Sequence, residues 1–457
     1  METAETHHSA HGNESESIGI AIIGGGISGL CLALGLLNTA PHLHIHIYEA
    51  ADHFAAIGAG VAFGINAQRA LWKLDPRLGE AYSKLSTSNV DANTRSRKET
   101  YLRVVMGMDH ATLPLLTAGT KVSEVFCEGG FSSVHRARLL DAMLDLLPDD
   151  FRNTHVTFGA RLVSLHDVHH VDGRGRVKLT FADGRIACAD AAIGCDGIRS
   201  QLRRILLEAE EAQPVFSGKY AYRGLIPMDR AVAALGDWSA RNAHHRIGYG
   251  GHVLTFPIDK GKTMNVVAFR TKSDGVWPAD AEWVTAATKE QMHADFAGWG
   301  QDVHAILDMM ERSDMWALFD HAPAHTYHRS GQLCLIGDAA HASTPHHGSG
   351  AGMAVEDALL ISSLLSDVQA SSQLHCVFST FEAMRKERTQ RLVQQSRMQC
   401  MIYDFEAPEI GDDVEKIAQT LPHRWDWIWD HDVEAELQTA RTLLADSTHK
   451  SPPSLVT

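Results

Sequence analysis

Three glycines near the start of the chain have the spacing of a dinucleotide-binding turn. Gly24, Gly26 and Gly29 form a G-x-G-x-x-G pattern between an apolar run at 18–23 and another at 30–37. The first run is rich in β-branched residues and predicts a buried strand, and the second predicts a helix. Glycines at this spacing permit a tight turn, a close approach of the backbone to a pyrophosphate, and close packing of the helix on the strand. The free N–H groups at the start of the helix would bind the phosphates.

An acidic residue follows at the position that such a turn requires. A second predicted strand, residues 44–48, is followed by Glu49, which lies twenty residues after Gly29. A carboxylate at this position can accept hydrogen bonds from ribose hydroxyls. A glycine-rich turn in an ordinary α/β protein is the alternative. The strand, the helix, the second strand and the glutamate together favour dinucleotide binding.

A second informative stretch lies about 300 residues later, in L-C-L-I-G-D-A-A-H-A-S-T-P-H-H-G-S-G-A-G. It predicts a buried strand that ends at Gly337-Asp338 and a glycine-rich helix that begins near Gly350. An aspartate at the end of a strand can accept hydrogen bonds from ribityl or ribose hydroxyls. The start of the helix offers N–H groups to an electron-rich ring edge. The nucleotide domain must therefore be closed by segments that are distant in the chain.

Three further residues carry weaker cofactor signals. A glycine-rich loop within 57–71 could approach a planar ligand with its backbone and leads into a helix that carries Arg69. A mobile surface loop is the alternative. Arg136 lies where a strand end runs into an amphipathic helix and could reach a cofactor phosphate, although a surface arginine is the plainer interpretation. Asp196 lies in a D-G turn before a basic helix, where a helix cap is the plainer interpretation.

Alternating runs between residues 219 and 270 predict a second domain. Their period of two, with intervening turns, indicates an antiparallel sheet with one face towards a cavity. Arg223 and His252 lie on these strands, and Arg270 ends the last one. Each taken alone is an ordinary solvated or structural residue, but together they could receive an anion. Further patterns predict a hairpin at 156–186, helical structure at 283–318 with Trp299 and Trp316 in the core, and helical structure at 354–403.

The composition restricts the class of protein. With 457 residues, 44% hydrophobic and 21% charged, the chain can form two or three packed subdomains of a soluble globular protein. Residues 1–17 are polar and are predicted to form a disordered tail without a signal peptide. No apolar run reaches the roughly eighteen residues of a membrane span. Seven scattered cysteines without a C-x-x-C spacing favour a reducing, cytoplasmic setting over a disulfide framework.

The charge balance restricts the ligands. A formal net charge of −15 argues against nucleic acid as a partner, because phosphate binding requires a basic face. An anionic substrate must then be received by a local basic pocket against the overall field. The 28 histidines include the run H-D-V-H-H at 166–170, but no H-E-x-x-H helix or mixed Cys/His cluster accompanies it. A solvated loop is favoured there, and no metal is predicted.

Three motifs in this order resemble the group A flavoprotein monooxygenases: the glycine pattern at Gly24, the D-G turn at Asp196 and the G-D pair at Gly337. The resemblance implies non-covalent FAD, NADH or NADPH as co-substrate, and dioxygen. It also implies an α/β fold with a Rossmann-like FAD-binding domain, an inserted antiparallel β-sheet substrate domain and C-terminal helices, a PHBH-like arrangement. The implied boundaries are 18–85, 130–210 and 325–375 for the FAD-binding domain, 86–129 and 215–324 for the substrate domain, and 376–457 for the C-terminal segment.

Within that group the chain is most similar to salicylate hydroxylases, on stretches such as A-Y-R-G, G-H-V-L-T-F-P-I and R-W-D-W-I-W-D-H-D. By position, the resemblance assigns FAD contacts to Glu49, Arg136 and Asp338, with Ala62 and Ala351 beside the flavin. The full set of predicted cofactor-binding residues is Gly24, Gly26, Gly29, Glu49, Ala62, Arg69, Arg136, Asp196, Asp338, Gly350 and Ala351.

The resemblance also implies the substrate side of the site. Arg223, in A-Y-R-G, matches a phenolate-binding residue of related fungal enzymes. His346 would lie beside the flavin edge, where a histidine that titrates near neutrality suits removal of a phenol proton. A histidine near a helix start without chemistry is the alternative. The predicted catalytic residues are Arg223, His346 and His252, and the predicted substrate-binding residues are Arg223, His252, Phe256 and Arg270.

The implied reaction is hydroxylation of an electron-rich phenolic acid, above all of salicylate to catechol with loss of carbon dioxide. Hydroxylation or dearomatisation of a larger phenol such as a polyketide is the alternative, and Phe256 counts against it because dearomatising relatives often carry tyrosine there. A flavin-binding module without hydroxylase activity is a second alternative. The expected partners are a small aromatic substrate and dioxygen, with a homodimer as a candidate assembly.

Overall fold

The computed structural model describes residues 17–53, 60–90, 94–95, 98–169, 175–312 and 314–450. The predicted N-terminal tail lies outside these residues except for its last position. Residue 170 of the histidine run also lies outside them. Within the described residues the chain forms four β-sheets and the helices that cover them.

The strands, numbered in chain order, are β1 Gly19–Ile23, β2 His44–Tyr48, β3 Gly60–Ala62, β4 Thr87–Ser88, β5 Thr94–Arg95, β6 Lys98–Met106, β7 Lys121–Cys127, β8 Ser132–His135, β9 Val156–Thr157, β10 Leu162–His169, β11 Gly175–Phe181, β12 Ile186–Ala189, β13 Ala191–Gly194, β14 Pro214–Pro227, β15 His244–Gly248, β16 Gly251–Ile258, β17 Thr263–Thr271, β18 Val284–Thr285, β19 Met315–His321, β20 His328–Arg329 and β21 Leu333–Leu335.

The α-helices are α1 Ile27–Thr39, α2 Ile65–Leu74, α3 Pro76–Leu85, α4 Arg136–Asp145, α5 Asp149–His155, α6 Gln201–Leu206, α7 Ala209–Ala212, α8 Met228–Leu235, α9 Asp237–Ala240, α10 Lys289–Asp295, α11 Gln301–Met309, α12 Asp338–His341, α13 Gly350–Leu365, α14 Leu374–Tyr403, α15 Val414–Thr420, α16 Asp426–Trp429 and α17 Val433–Lys450. One of the short 3-10 helices, Pro345–His347, connects α12 to α13.

The glycine pattern lies in a six-stranded sheet with the order β20-β21-β13-β1-β2-β9. Its strands are parallel apart from β20, which pairs antiparallel with β21. Residues 20–23 of β1 are all buried, as expected for a parallel strand that helices cover on both faces. The predicted strand, helix and second strand at the start of the chain are confirmed. The strands β13 and β21, which lie on one side of β1 in this sheet, come from distant segments of the chain, so the sheet is complete only after residue 335.

A nine-stranded, mainly antiparallel sheet forms the other large layer, with the order β18-β19-β14-β17-β16-β15-β6-β5 and with β7 paired to β6. Its residues alternate between two faces, as the period of two predicts. One face packs on α8, α10 and α11 through buried residues such as Tyr222, Val266 and Ala268. The other face, with Ala221, Val267 and Phe269, is turned towards a cavity.

Two smaller sheets complete the strand structure. The predicted hairpin is the start of the three-stranded meander β10-β11-β12. The sheet β3-β8-β4 stands beside the cavity. The prediction of helical structure throughout 283–318 is wrong at its ends, because β18 and β19 pair there as strands. The short apolar run in β19 is compatible with a helix or a strand. It forms a strand because it pairs with β14. Trp299 is buried as predicted, whereas Trp316 of β19 is only half-buried, so its predicted place in the core is wrong.

A buried ionic network joins three of the C-terminal helices. Arg385 of α14 is fully buried and donates to Glu356 and Asp357 of α13 and to Glu436 of α17. Burial alone would raise the pKa of Glu356, but Arg385 and Arg388 lower it to about 2. Asp357 also accepts from the N–H of Gly337, so the network supports the loop that precedes α12.

Replacing Arg385 by methionine is expected to lower the free energy of unfolding by about 3–5 kcal/mol, because breaking a buried ion pair leaves carboxylates without a compensating charge. Chemical denaturation measures this loss. Arg152→Met is the control, since Arg152 pairs on the surface with Asp145 and Asp149. An exposed pair contributes about 0–1 kcal/mol. Equal losses in the two variants would contradict the role given to the network.

Candidate active site

The three glycines of the turn differ in what surrounds them. A Cβ on Gly24, which has φ +105°, would lie 2.4 Å from the carbonyl oxygen of Cys195, and one on Gly29 would lie 2.0 Å from that of Gly24. Both positions therefore require glycine. A Cβ on Gly26 would meet no described atom within 4 Å. This open space lies at the start of α1, which has no side-chain cap. The turn can thus receive a phosphate group at Gly26.

Glu49 stands beside this turn at the end of β2. Its carboxylate accepts from the N–H groups of Gly25, at 2.7 Å, and Ala51, at 2.8 Å. These bonds hold the side chain in place, and each carboxylate oxygen keeps a lone pair for a further donor. Glu49 is therefore positioned where ribose hydroxyls could bind.

Asp338 begins α12 at the carboxyl end of the sheet. Its carboxylate is open to the cavity, and no described residue donates a hydrogen bond to it. Desolvation by the surrounding protein raises the pKa of Asp338. His341 and Arg136 act in the opposite direction, but their effect is smaller. Arg136 lines the same cavity, as do Ala62 of β3 and the first residues of α13.

Two predicted cofactor residues have other partners. Asp196 caps α6, accepting from the N–H of Gln201 at 2.7 Å and of Leu202 at 3.3 Å. The capping role, which the sequence offered as the plainer interpretation, is thus observed. Arg69 pairs on the surface with Glu128 at 2.5 Å. Neither Asp196 nor Arg69 lines the cavity.

The cavity has a volume of about 320 Å³ and lies between the start of α13, the sheet β3-β8-β4 and the nine-stranded sheet. Four cross-strand partners form one row along its wall: His245 lies opposite Leu254, Leu254 opposite Val267, and Val267 opposite Arg223. The rest of the wall includes Gly60, Val61, Ala62, Tyr101, Leu102, Phe131, Arg136, Phe256, Phe269, Asp338, residues 343–351, Tyr403 and Trp425.

Arg223 is the basic group of the nine-stranded sheet that faces this cavity. Its guanidinium lies 4.7 Å from the centre of the Trp316 ring, and its Nε has no hydrogen-bond partner among the described residues. Burial, with a smaller effect of Arg136, lowers the pKa of Arg223. A half-buried guanidinium with an unused donor is a suitable site for a carboxylate or phenolate.

His346 also faces the cavity, from the short helix Pro345–His347. Its Nδ1 lies 3.2 Å from Nε2 of His252, whereas its Nε2 has no partner among the described residues. Nδ1 of His252 in turn lies 2.5 Å from Oδ1 of Asp404. Burial holds the pKa values of both histidines well below their usual range. His252 does not line the cavity, so its predicted contact with substrate is replaced by a position behind His346.

The structure separates the other two predicted substrate residues. Phe256 lines the cavity and packs against Phe131. Arg270 lies on the opposite face of the sheet, where it donates to the carbonyl of Tyr249 and faces the ring of Trp299. The prediction that Arg270 binds substrate is thus corrected, because Arg270 is three residues from the cavity-facing Val267 on β17 and strand faces alternate.

Several polar groups at the cavity were not singled out from the sequence. Both ring nitrogens of His245 and the hydroxyl of Tyr403 are buried without a partner among the described residues, and both side chains line the cavity. The signal for His245 was its place in an H-H pair among the alternating runs between residues 219 and 270. Nothing in the local sequence indicates Tyr403 or Asp404, which end a helix more than 130 residues later.

One compact group among the described residues could in principle hold a metal ion: His252, His346 and Cys400. Asp404 already bonds to His252, and the ammonium of Lys219 lies 2.6 Å from that carboxylate. A cation so close disfavours a metal ion, and we interpret the group as a hydrogen-bonded chain. The prediction of a solvated loop for the histidine run is wrong over its described residues, because residues 166–169 belong to strand β10 and pair with β11. Asp167 of this strand also pairs with Arg329.

The fold and the candidate site define a protein that can hold a nucleotide cofactor beside an enclosed cavity. The FAD-binding domain family matches residues 146–396. The chain is 38% identical to a 6-methylsalicylate 1-monooxygenase of Aspergillus terreus, covering 95% of this chain and 94% of that protein. It is 36% identical to a salicylate hydroxylase of Pseudomonas putida, covering 94% and 96%. A solved salicylate hydroxylase–substrate complex superposes with a TM-score of 0.79 at 30% identity, over 97% of this chain and 100% of that one.

The chain therefore belongs to the FAD-dependent monooxygenases of the salicylate hydroxylase family. The predicted α/β, PHBH-like fold is confirmed by the same comparison. Membership of a family of monooxygenases favours an enzyme over the flavin-binding module without activity. Among the residues that the structure describes, no helix has the length and apolar character needed to cross a membrane.

The residues present fit FAD. The open space at Gly26, the uncapped start of α1 and the carboxylate of Glu49 suit the dinucleotide part. The free carboxylate of Asp338 suits the ribityl hydroxyls, and the uncapped start of α13 offers N–H groups to the edge of the flavin ring. These groups would hold the cofactor at the cavity.

Glu49→Ala is expected to weaken FAD binding by roughly ten- to a hundredfold, because a hydrogen bond to a charged group contributes about 1.5–3 kcal/mol. The variant also leaves the N–H of Gly25 without its acceptor. Titration of apoprotein with FAD, followed by flavin fluorescence, gives the dissociation constant. Glu80→Ala, which removes only a surface partner of Lys84, is the control. Wild-type affinity in Glu49→Ala would remove this residue from the cofactor site.

Proposed function

We propose that the protein hydroxylates a small phenolic acid, above all salicylate, which it converts to catechol with loss of carbon dioxide. The observation that carries this proposal is one cavity lined by two complementary groups, Arg223 and His346. Nε of Arg223 and Nε2 of His346 are buried, and neither has a hydrogen-bond partner among the described residues. An ortho-hydroxy acid offers a carboxylate to the first and a phenol to the second. Relatives named for salicylate and 6-methylsalicylate support the same substrate class.

The size of the cavity supports a single-ring substrate. Its volume of about 320 Å³ is at the small end of the usual range for ligand pockets, about 300–1,000 Å³. A bound flavin ring would take part of that space. A larger phenol of the polyketide type would need more room, and Phe256 provides no hydroxyl for it.

Each protein group has a separate part in the proposed reaction. Arg223 binds the carboxylate and orients the ring, with the bidentate geometry that arginine offers. His346 accepts the phenol proton at Nε2, which makes the ring electron-rich. Leu254, Val267 and Phe256 exclude water from the reacting face. FAD, once bound and reduced by NADH or NADPH, would activate dioxygen, one atom of which is transferred to the ring.

The test is substrate-dependent oxidation of NADH, and separately of NADPH, with product analysis. Salicylate should accelerate oxidation and yield catechol and carbon dioxide in equal amounts, and 6-methylsalicylate tests tolerance of one methyl group. Oxidation without carbon dioxide release would favour hydroxylation of a different phenol. The homodimer, the cytoplasmic location and the domain boundaries stay predictions.

A further inference from the structure

The hydrogen-bonded chain that starts at His346 continues from the cavity towards the surface. Nδ1 of His346 lies 3.2 Å from Nε2 of His252, and Nδ1 of His252 lies 2.5 Å from Oδ1 of Asp404. Oδ2 of Asp404 accepts from Nζ of Lys219 at 2.6 Å, and Lys219 also donates to Glu406 at 2.6 Å. The side chains of His252 and Asp404 are fully buried, whereas that of Glu406 is 35% exposed.

We propose that His346, His252 and Asp404 form a proton relay that carries the proton of the bound phenol out of the cavity. The relay rests on the proposed function, because it begins with a phenol held against Nε2 of His346. His252 and Asp404 act through His346 and are positioning residues. Lys219 and Glu406 form its outer end, where exchange with solvent takes place.

The protons balance in one set of tautomers. Before transfer, His346 donates its Nδ1 proton to Nε2 of His252, and His252 donates its Nδ1 proton to Asp404. The phenol then gives its proton to Nε2 of His346, His346 gives its Nδ1 proton to His252, and His252 gives its Nδ1 proton to Asp404. Three bonds to hydrogen break and three form. Both imidazoles end neutral, and one negative charge has moved from Asp404 to the phenolate.

Burial explains why a relay is more favourable than a single base. His346 and His252 are fully buried, so a positive charge on either is costly, and burial depresses both pKa values accordingly. An isolated His346 would have to become a buried imidazolium next to the substrate. In the relay neither ring stays charged, because Asp404 receives the proton.

The groups around the relay are consistent with this charge movement. His245, Cys400 and Tyr403 face it in addition to Lys219. Burial alone would lower the pKa of Lys219, but Asp404 raises it, so that Lys219 stays cationic. With Glu406 as a second acceptor, Lys219 keeps a partner after Asp404 is protonated.

The first test uses oxidised holoenzyme labelled with 15N-histidine, without substrate. Both His346 and His252 should be neutral and protonated at Nδ1 at pH 7, with the signals assigned from His346→Gln and His252→Gln. The proton between His252 and Asp404 should resonate far downfield and disappear in Asp404→Asn. A His346 ring protonated at Nε2 would overturn the relay, whatever the substrate is.

The second test measures the pKa of the phenol of bound salicylate from its ultraviolet spectrum in oxidised holoenzyme. Asp404→Asn and His252→Gln should each raise that pKa by about one unit or more, while the affinity for benzoate, which has no phenol, stays at the wild-type value. His244→Gln is the matched control, because His244 is buried on the same strand as His245 but on the opposite face. An unchanged phenol pKa in both relay variants would contradict the proposal.

Failure of the proposed function gives a different result. If salicylate is not the substrate, product analysis shows no catechol in any variant, yet the tautomers of the substrate-free enzyme still support or exclude the relay. If Asp404→Asn and His252→Gln lose FAD, the second test is made on the wild-type enzyme instead. The rate of phenol ionisation is then measured at increasing deuterium content of the solvent, as a proton inventory. A curved dependence on deuterium content supports several protons in transfer, and a linear one excludes the relay.

Discussion

Arg223→Ala is expected to lower kcat/KM for salicylate about tenfold or more, with FAD content and the unfolding transition close to wild type. The guanidinium faces the cavity, and its Nε has no partner among the described residues. A hydrogen bond to a charged group contributes about 1.5–3 kcal/mol, and each 1.4 kcal/mol corresponds to a factor of about ten. Arg223 forms no ion pair with the described residues, so its loss removes binding energy and, within the protein, chiefly its contact with the ring of Trp316. Steady-state kinetics and thermal unfolding measure the two effects.

Arg270→Ala is the matched control for this prediction. Arg270 is on the neighbouring strand β17, but its side chain lies on the face opposite to the cavity. Its loss should leave the KM for salicylate unchanged, whatever it costs in stability. If Arg270→Ala raised KM and Arg223→Ala did not, the anion site would lie on the other face of the sheet and the proposed substrate position would be wrong.

His346→Ala is expected to abolish most catechol formation while NADH oxidation continues, so that hydrogen peroxide replaces the hydroxylated product. General-base catalysis contributes about 10²–10⁴-fold, and the variant lacks the only relay group that faces the cavity. The loss should diminish as the pH rises, because the phenol then ionises with less assistance. The ratio of catechol to NADH consumed, measured from pH 6 to pH 9, checks this result.

His347→Ala is the comparison variant for His346. His347 also lines the cavity, but its backbone carbonyl accepts from Trp425, and its two ring nitrogens have no hydrogen-bond partner among the described residues. It should retain more of the coupling between NADH oxidation and hydroxylation. General damage to the fold would instead lower FAD content and flavin reduction together. A His346→Ala enzyme that still couples both reactions at pH 7 would remove His346 from the mechanism.

The amino-acid sequence by itself predicted most of the candidate cofactor half of the site, although Arg69 and Asp196 have other partners in the structure. The turn at Gly24, the glutamate after β2 and the aspartate after β21 all act within a few residues of their own strand or helix. Their geometry follows from local rules: glycine where a Cβ would clash, an acidic group at a strand end, and uncapped N–H groups at a helix start. Such signals can be recognised in a sequence because the residues that form each motif are neighbours in the chain as well as in space.

Only the tertiary structure decided the substrate half. Arg223 and Arg270 looked equivalent in the sequence, but they occupy opposite faces of the sheet because strand register alternates residue by residue. Asp404 is separated from His252 by 152 positions and from Lys219 by 185, yet it joins both. No local pattern encodes that contact. It arises because α14 ends against the cavity-facing sheet, and packing of distant elements brings a carboxylate, a lysine and two histidines into one buried row.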